Sequence, residues 1–175
     1  LSTTAIPELT KYHIPVFWDD EYTKLDYINE PFNDEISANR WITQGYSDQF
    51  TGDMCDMRGR QPSWNSTFIS IYRELGWKNI GTSYYRMATG TILPVHQDLY
   101  VRYIELFNLQ GQEHRIRRAV IFLEDWQSGH YFEGGEQVVT GWLAGDAVEW
   151  VYDLPHMAAN LGLAPRYTLQ ITGHV

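Results

Sequence analysis

The chain has 175 residues, enough for one domain with an elaboration and too few for two independent cores. Its formal net charge of −9 argues against broad nucleic-acid binding, which needs a basic face, and no apolar run approaches the ~20 residues of a membrane-spanning helix. A single cysteine, Cys55, excludes an internal disulfide framework and a cysteine-based zinc cluster; with no basic start leading into an apolar stretch, it predicts a protein of the reducing cytoplasm.

Residues 1–80 read as a helical and irregular N-terminal extension, and residues 81–175 as a β-rich core, together one compact unit. Asp19-Asp20-Glu21 opens a predicted helix over 21–29, with Tyr22, Leu25 and Ile28 along one face and Pro31 as its stop. Residues 35–43 form a weaker helical candidate. Residues 51–65 carry Gly52, Gly59 and Pro62 and read as loop. Over 66–75, Phe68, Ile69, Tyr72 and Leu75 share one helical face, and Gly76 is a natural end.

From Gly81 onward the pattern changes to short strands, predicted at 82–89, 91–98, 100–107, 116–124, 136–140, 147–152, 156–161 and 167–172. Gly90, Gly111, Gly134-Gly135, Gly145-Asp146, Pro155, Gly162 and Pro165 punctuate them. Eight strands at this spacing suggest a sandwich or barrel, and a jelly roll has eight strands in two sheets. Seven Trp and twelve Tyr suit such a fold, because aromatic rings pack well on pleated surfaces. Runs such as 119–123 are apolar on both faces, which predicts that the N-terminal helices cover one of them.

The chemistry is concentrated in His96-Gln97-Asp98, His156 and Arg166. Residues two apart on a strand face the same way, so His96 and Asp98 can hold one metal ion together. A histidine from a distant strand completes two imidazoles and one carboxylate on one side of the metal, the arrangement of non-haem Fe(II) oxygenases. Arg166 adds a permanently charged planar fork suited to a carboxylate. Singly, each residue has an ordinary explanation: a surface tripeptide, a turn cap after Pro155, a surface ion pair. The specificity lies in their order.

That order, with 57 residues between Asp98 and His156, ten more to Arg166 and then Thr168, resembles the 2-oxoglutarate- and Fe(II)-dependent dioxygenases. Gly134-Gly135-Glu136, Gly145-Asp146-Ala147-Val148 and Arg166-Tyr167-Thr168-Leu169 are similar to the prolyl-hydroxylase-like branch. The likeness covers residues 81–175; nothing comparable covers 1–80.

The resemblance implies a mainly β, double-stranded β-helix (jelly roll) with N-terminal helices packed against it. His96 and Asp98 would come from the second core strand and its exit, His156 from the seventh strand, neighbour of the second. Arg166 would open the eighth, reaching the distal carboxylate of 2-oxoglutarate, with Thr168 on the same face as a hydroxyl donor. The implied activity uses Fe(II), 2-oxoglutarate and O2 to hydroxylate an unactivated C–H bond of a peptidyl residue or small molecule, releasing succinate and CO2. Asp98 in the acid position argues against halogenation.

Tyr85 is a further candidate for the cosubstrate carboxylate, or else a core tyrosine. Met87 occupies the position where prolyl hydroxylases usually carry tyrosine, and Tyr85 lies one pleat earlier on the same face. Arg118, on a face with Val120 and Phe122, is read as paired with a local acid such as Glu124, with contact to substrate or cosubstrate as the other option. His130 is read as an ordinary loop residue rather than a lining of the site's mouth. Two other classes stay open: a cupin-type isomerase or dioxygenase that does not use 2-oxoglutarate, and a non-catalytic β-helix binding module. Substrate identity and oligomeric state have no signature in the sequence.

Overall fold

A computed structural model describes residues 8–46, 50–55 and 57–175; residues 1–7 and 47–49 of the expected extension, and residue 56 of the expected loop, lie outside them. Among the described residues, eleven strands form two antiparallel sheets. They are β1 (Thr10–His13), β2 (Tyr27–Pro31), β3 (Thr51–Cys55), β4 (Lys78–Met87), β5 (Ile92–His96), β6 (Ile116–Phe122), β7 (His130–Gly134), β8 (Gln137–Val139), β9 (Asp146–Val151), β10 (His156–Asn160) and β11 (Arg166–His174). The large sheet runs β1-β9-β6-β11-β4-β3-β2 and the small one β5-β10-β7-β8.

Counted from β4, the first, third, sixth and eighth strands lie in the large sheet and the other four in the small sheet. Successive strands therefore wind between the two layers, which defines a double-stranded β-helix. Alternation along β6 gives the large sheet two apolar faces. Val120 and Phe122 pack inward with Phe132, Trp142, Val148 and Trp150 of the barrel interior. Ala119 and Ile121 pack outward against Trp18, Trp64, Phe68 and Tyr72.

Two of those outer residues belong to α2 (Asn65–Glu74), where Phe68 and Tyr72 stand one turn apart and are fully buried. Each such ring contributes about 2 kcal/mol by leaving water. The helix ends in a Schellman motif: Gly76, at φ +88°, donates to Arg73 O at 3.0 Å and Trp77 donates to Tyr72 O at 3.0 Å. Helix α1 (Glu35–Thr43) begins at Asp34, whose carboxylate accepts the Ile36 and Ser37 amides. It covers the open edge of β5, where Trp41 Nε1–H and Arg40 Nη2–H both donate to Val95 O at 3.0 Å.

Three expectations are corrected. The predicted helix 21–29 shortens to one 3-10 turn, Asp20–Lys24, followed by strand β2. Asp19 caps that turn as its composition predicts, but Tyr22 is the turn's single buried residue, and pairing with β3 draws the next residues into a strand. The predicted loop 51–65 contains β3 at its start, held between β2 and β4. Predicted strand 100–107 is instead helix α3 (Val101–Phe107). Its packed residues Tyr100, Tyr103, Ile104 and Phe107 follow a helical period, and they close over Leu109 and Ile116. Strand β7 is hidden because its inward positions are His130, Phe132 and Gly134, so that only one of the three is a large apolar residue.

The start of β7 is locked to the turn between β10 and β11. Gly129, at φ +92°, has room only for hydrogen: a Cβ there would stand 2.3 Å from Gly162 N and 2.6 Å from Leu161 C. The clash is with backbone on the far side, and the left-handed conformation adds strain. Gly129→Ala is expected to cost at least about 3 kcal/mol of unfolding free energy. Urea denaturation reads this directly; an unchanged midpoint would show that the two turns are not clamped.

Candidate metal centre

Strands β5 and β10 pair with His96 directly opposite His156. Residues opposite in an antiparallel pair share a face, so both imidazoles enter the barrel interior. Their ring centroids are 4.3 Å apart. Just past the end of β5, Asp98 turns its carboxylate between them, with Oδ1 3.9 Å from His96 Nε2 and Oδ2 3.7 Å from His156 Nε2. One donor atom from each of the three residues lies within 4.8 Å of the others, the only such group able to hold a metal ion among the described residues.

The histidine tautomers follow from their partners. His96 Nδ1 lies 2.8 Å from Pro94 O and His156 Nδ1 2.9 Å from Leu154 O. A carbonyl only accepts, so each Nδ1 carries the proton and each Nε2 keeps its lone pair for a cation. Packing fixes the rings: Trp41 meets His96 edge-on at 5.8 Å, and Trp150 lies 4.8 Å from His156.

Charge states support the same reading. Burial pushes the His156 imidazole down to about 4, outweighing the attraction of Asp98. Burial also lowers His96, against the pull of its Pro94 hydrogen bond and Asp98. For Asp98, burial acts upward, but Arg118, His156 and His96 together hold the carboxyl below its usual range. Two neutral imidazoles and one carboxylate are the forms a divalent ion needs.

These shifts predict acid sensitivity in the metal-free chain. Unfolded, His156 takes its proton near 6.5; folded, only near 4. The unfolded state binds the extra proton between these values, so the contribution is complete above ~6.5 and lost as pH falls through about 4. The gap corresponds to about 3 kcal/mol, and Asp98 acts in the same direction at lower pH. Urea unfolding at pH 7 and pH 4 measures the loss; equal midpoints would contradict it.

Arg166 opens β11 opposite Met87, with Thr168 opposite Tyr85 on one neighbour and Phe122 on the other. Both face the barrel interior with the triad. Arg166 is only 5% exposed, and burial lowers it to about 10. Its Nη1 donates to Tyr131 O at 2.7 Å, while Nε is buried without a hydrogen-bond partner. Among the described residues no carboxylate forms an ion pair with it. A buried cation lacking an anion is costly.

Arg118 does not pair with Glu124. Its Nη2 lies 3.3 Å from Asp98 Oδ2, its Nε–H donates to the Tyr100 hydroxyl at 3.3 Å, and its guanidinium sits 4.8 Å from the Tyr100 ring centre. Glu124 instead accepts from Tyr22 at 3.4 Å. Tyr85 lies in the electrostatic reach of Arg118 and Asp98, and burial raises its phenol. His130 is not at the mouth and not in a loop: it is buried at the start of β7, bonded through Nε2 to Ala164 O at 3.0 Å.

No family model matches the sequence, and no curated protein does. Solved structures match by shape. A prolyl-4-hydroxylase from Pseudomonas putida superposes with a TM-score of 0.56, over 89% of this chain and 95% of that one, at 14% identity. A predicted oxalate decarboxylase from Thermotoga maritima gives 0.42 at 11% identity, over 71% and 82%. An RmlC-like cupin from Shewanella frigidimarina gives 0.38 at 11% identity, over 55% and 67%. Likeness at these identities is likeness of fold. Fold and site together define a double-stranded β-helix with a His–Asp–His group in its interior.

Proposed function

We propose that the chain is an Fe(II)- and 2-oxoglutarate-dependent oxygenase. It hydroxylates an unactivated C–H bond of a peptidyl residue or a small molecule and releases succinate and CO2. The observation that carries this reading is Arg166, a buried arginine with an orphaned Nε on the same interior surface as the triad. His96, Asp98 and His156 would hold the iron, which when bound supplies the redox chemistry with O2.

The protein's own part is binding, orientation and charge. The triad carries one negative charge against the two positive charges of the ion, so the centre attracts a further anion. Arg166 would receive the distal carboxylate of 2-oxoglutarate in charge-assisted hydrogen bonds, satisfying its Nε. Thr168, two residues along the same face, would add a hydroxyl donor. Tyr85 stands opposite Thr168, and its raised phenol stays protonated, so it donates to an anion instead of repelling it. Phe132 and Trp150 keep water from the rear of His156.

Succinate formation from 2-oxoglutarate tests this reading. It should require Fe(II) and O2 and rise when a true substrate is added. Absence of succinate from iron-loaded protein, with or without candidate substrates, would count against it.

A further inference from the structure

Arg118 has no task in that scheme, yet it is buried in the barrel with its side chain only 13% exposed. From it we infer that the primary substrate carries a carboxylate close to the carbon that reacts, and that Arg118 binds it with the help of Tyr100. The inference rests on the oxygenase reading and specifies its substrate class.

The first support is charge. A divalent ion and a doubly charged cosubstrate cancel each other, and Asp98 cancels one of the two buried arginines. One positive charge is left in a site where burial makes an unmatched charge expensive. Glu30 acts on Tyr85 from an exposed position that solvent screens, and Asp34 acts on His96 from a half-exposed one where its carboxylate is taken up by the α1 cap.

Position is the second support. Arg166 lies opposite Met87, whereas Arg118 lies opposite Thr172 and Trp150. Six residues of β11 separate their backbone levels, so the two guanidinium groups enter the interior from different heights. Arg166 is tied to Tyr131 on β7 and Arg118 to Asp98 at the metal group. The distal end of the cosubstrate therefore belongs to one arginine, and the other sits at the ion, where a second substrate must come for its carbon to react.

Third, the present partners of Arg118 do not saturate it. Its contacts to Asp98 and to Tyr100 are both 3.3 Å, longer than the ~2.7–2.9 Å of a tight guanidinium–carboxylate bond. Once Asp98 gives its charge to a cation, the fork is available to another carboxylate. The Tyr100 ring beneath it and the Tyr100 hydroxyl complete a lining that suits an acid and disfavours its neutral amide.

The test uses the full chain with Fe(II) and 2-oxoglutarate at saturation, without oxygen, following the visible absorption of the ternary complex. Probes are L-proline, L-leucine and hexanoate, each beside its amide, and end-blocked peptides containing Asp or Asn. An acid that perturbs the absorption at a concentration at least tenfold below that of its amide supports the inference. Free acids and the Asp peptide separate a small-molecule source of the carboxylate from a peptide one. Arg118→Gln should erase the acid-to-amide preference and Arg118→Lys retain it; as a ratio within one protein, it is insensitive to a general loss of occupancy. Equal binding of every acid and its amide would overturn the inference. So would an Arg118→Gln chain that keeps the preference, or one that loses only 2-oxoglutarate affinity, which would assign Arg118 to the cosubstrate. If the wild-type chain shows no absorption on adding 2-oxoglutarate, the oxygenase reading itself fails and takes this inference with it.

Discussion

A His156→Ala chain is expected to bind Fe(II) at least about 100-fold more weakly than the wild type. The imidazole is one of three donors and enters from a different strand from the other two, so its removal leaves only His96 and Asp98 from the end of β5. Two donors from one side do not enclose an ion. The same change removes the donor to Leu154 O and empties the space beside Trp150, which costs about 1–3 kcal/mol in the metal-free state. It should also flatten the loss of stability between neutral and acid pH, because the group that titrates there is gone. Anaerobic iron titration followed by equilibrium dialysis measures the affinity. Wild-type affinity in the variant would place the metal elsewhere.

The second large effect runs in two directions at once. Arg166→Met removes a cation that is buried and lacks an anion, so the ligand-free chain should melt at the same temperature as the wild type or higher. The lost bond to Tyr131 O offsets this by about 1 kcal/mol. Affinity for 2-oxoglutarate should fall on the order of 100-fold, since a buried carboxylate left without its partner costs about 2–5 kcal/mol. Thermal unfolding with and without 2-oxoglutarate gives both quantities from one set of samples. A destabilised variant that still binds 2-oxoglutarate normally would make Arg166 a structural residue.

Much of the core was legible because its signals are local. Strand alternation and glycine punctuation locate β4, β5, β6 and β8 to β11, and the His-x-Asp pair sets two donors on one face by spacing alone. The strands contributed by the N-terminal part were not legible. β1 is short and polar and β3 carries Gly52 and Asp53, and both become strands only by pairing with β9 and β4, which is a tertiary effect on weak local propensity. Helix α3 was readable in principle from Tyr100, Tyr103, Ile104 and Phe107; its β-branched and aromatic composition argued for a strand, and the helical period was the better guide. The Arg118–Asp98 contact spans twenty positions and a whole helix, so no local pattern announces it. Its one trace is an arginine alternating with Val120 and Phe122 on a buried face, which demands an acid from somewhere in the fold.

The central claim is that one interior site binds iron through the triad and a dicarboxylate through Arg166. Anaerobic visible spectroscopy tests both halves together, adding Fe(II) to metal-free protein and then 2-oxoglutarate. The predicted result is a weak metal-to-ligand charge-transfer band. It should be absent in His156→Ala and need far more 2-oxoglutarate in Arg166→Met. Tight iron binding with no band at any 2-oxoglutarate concentration would contradict the claim and leave a cupin-type centre that works without this cosubstrate.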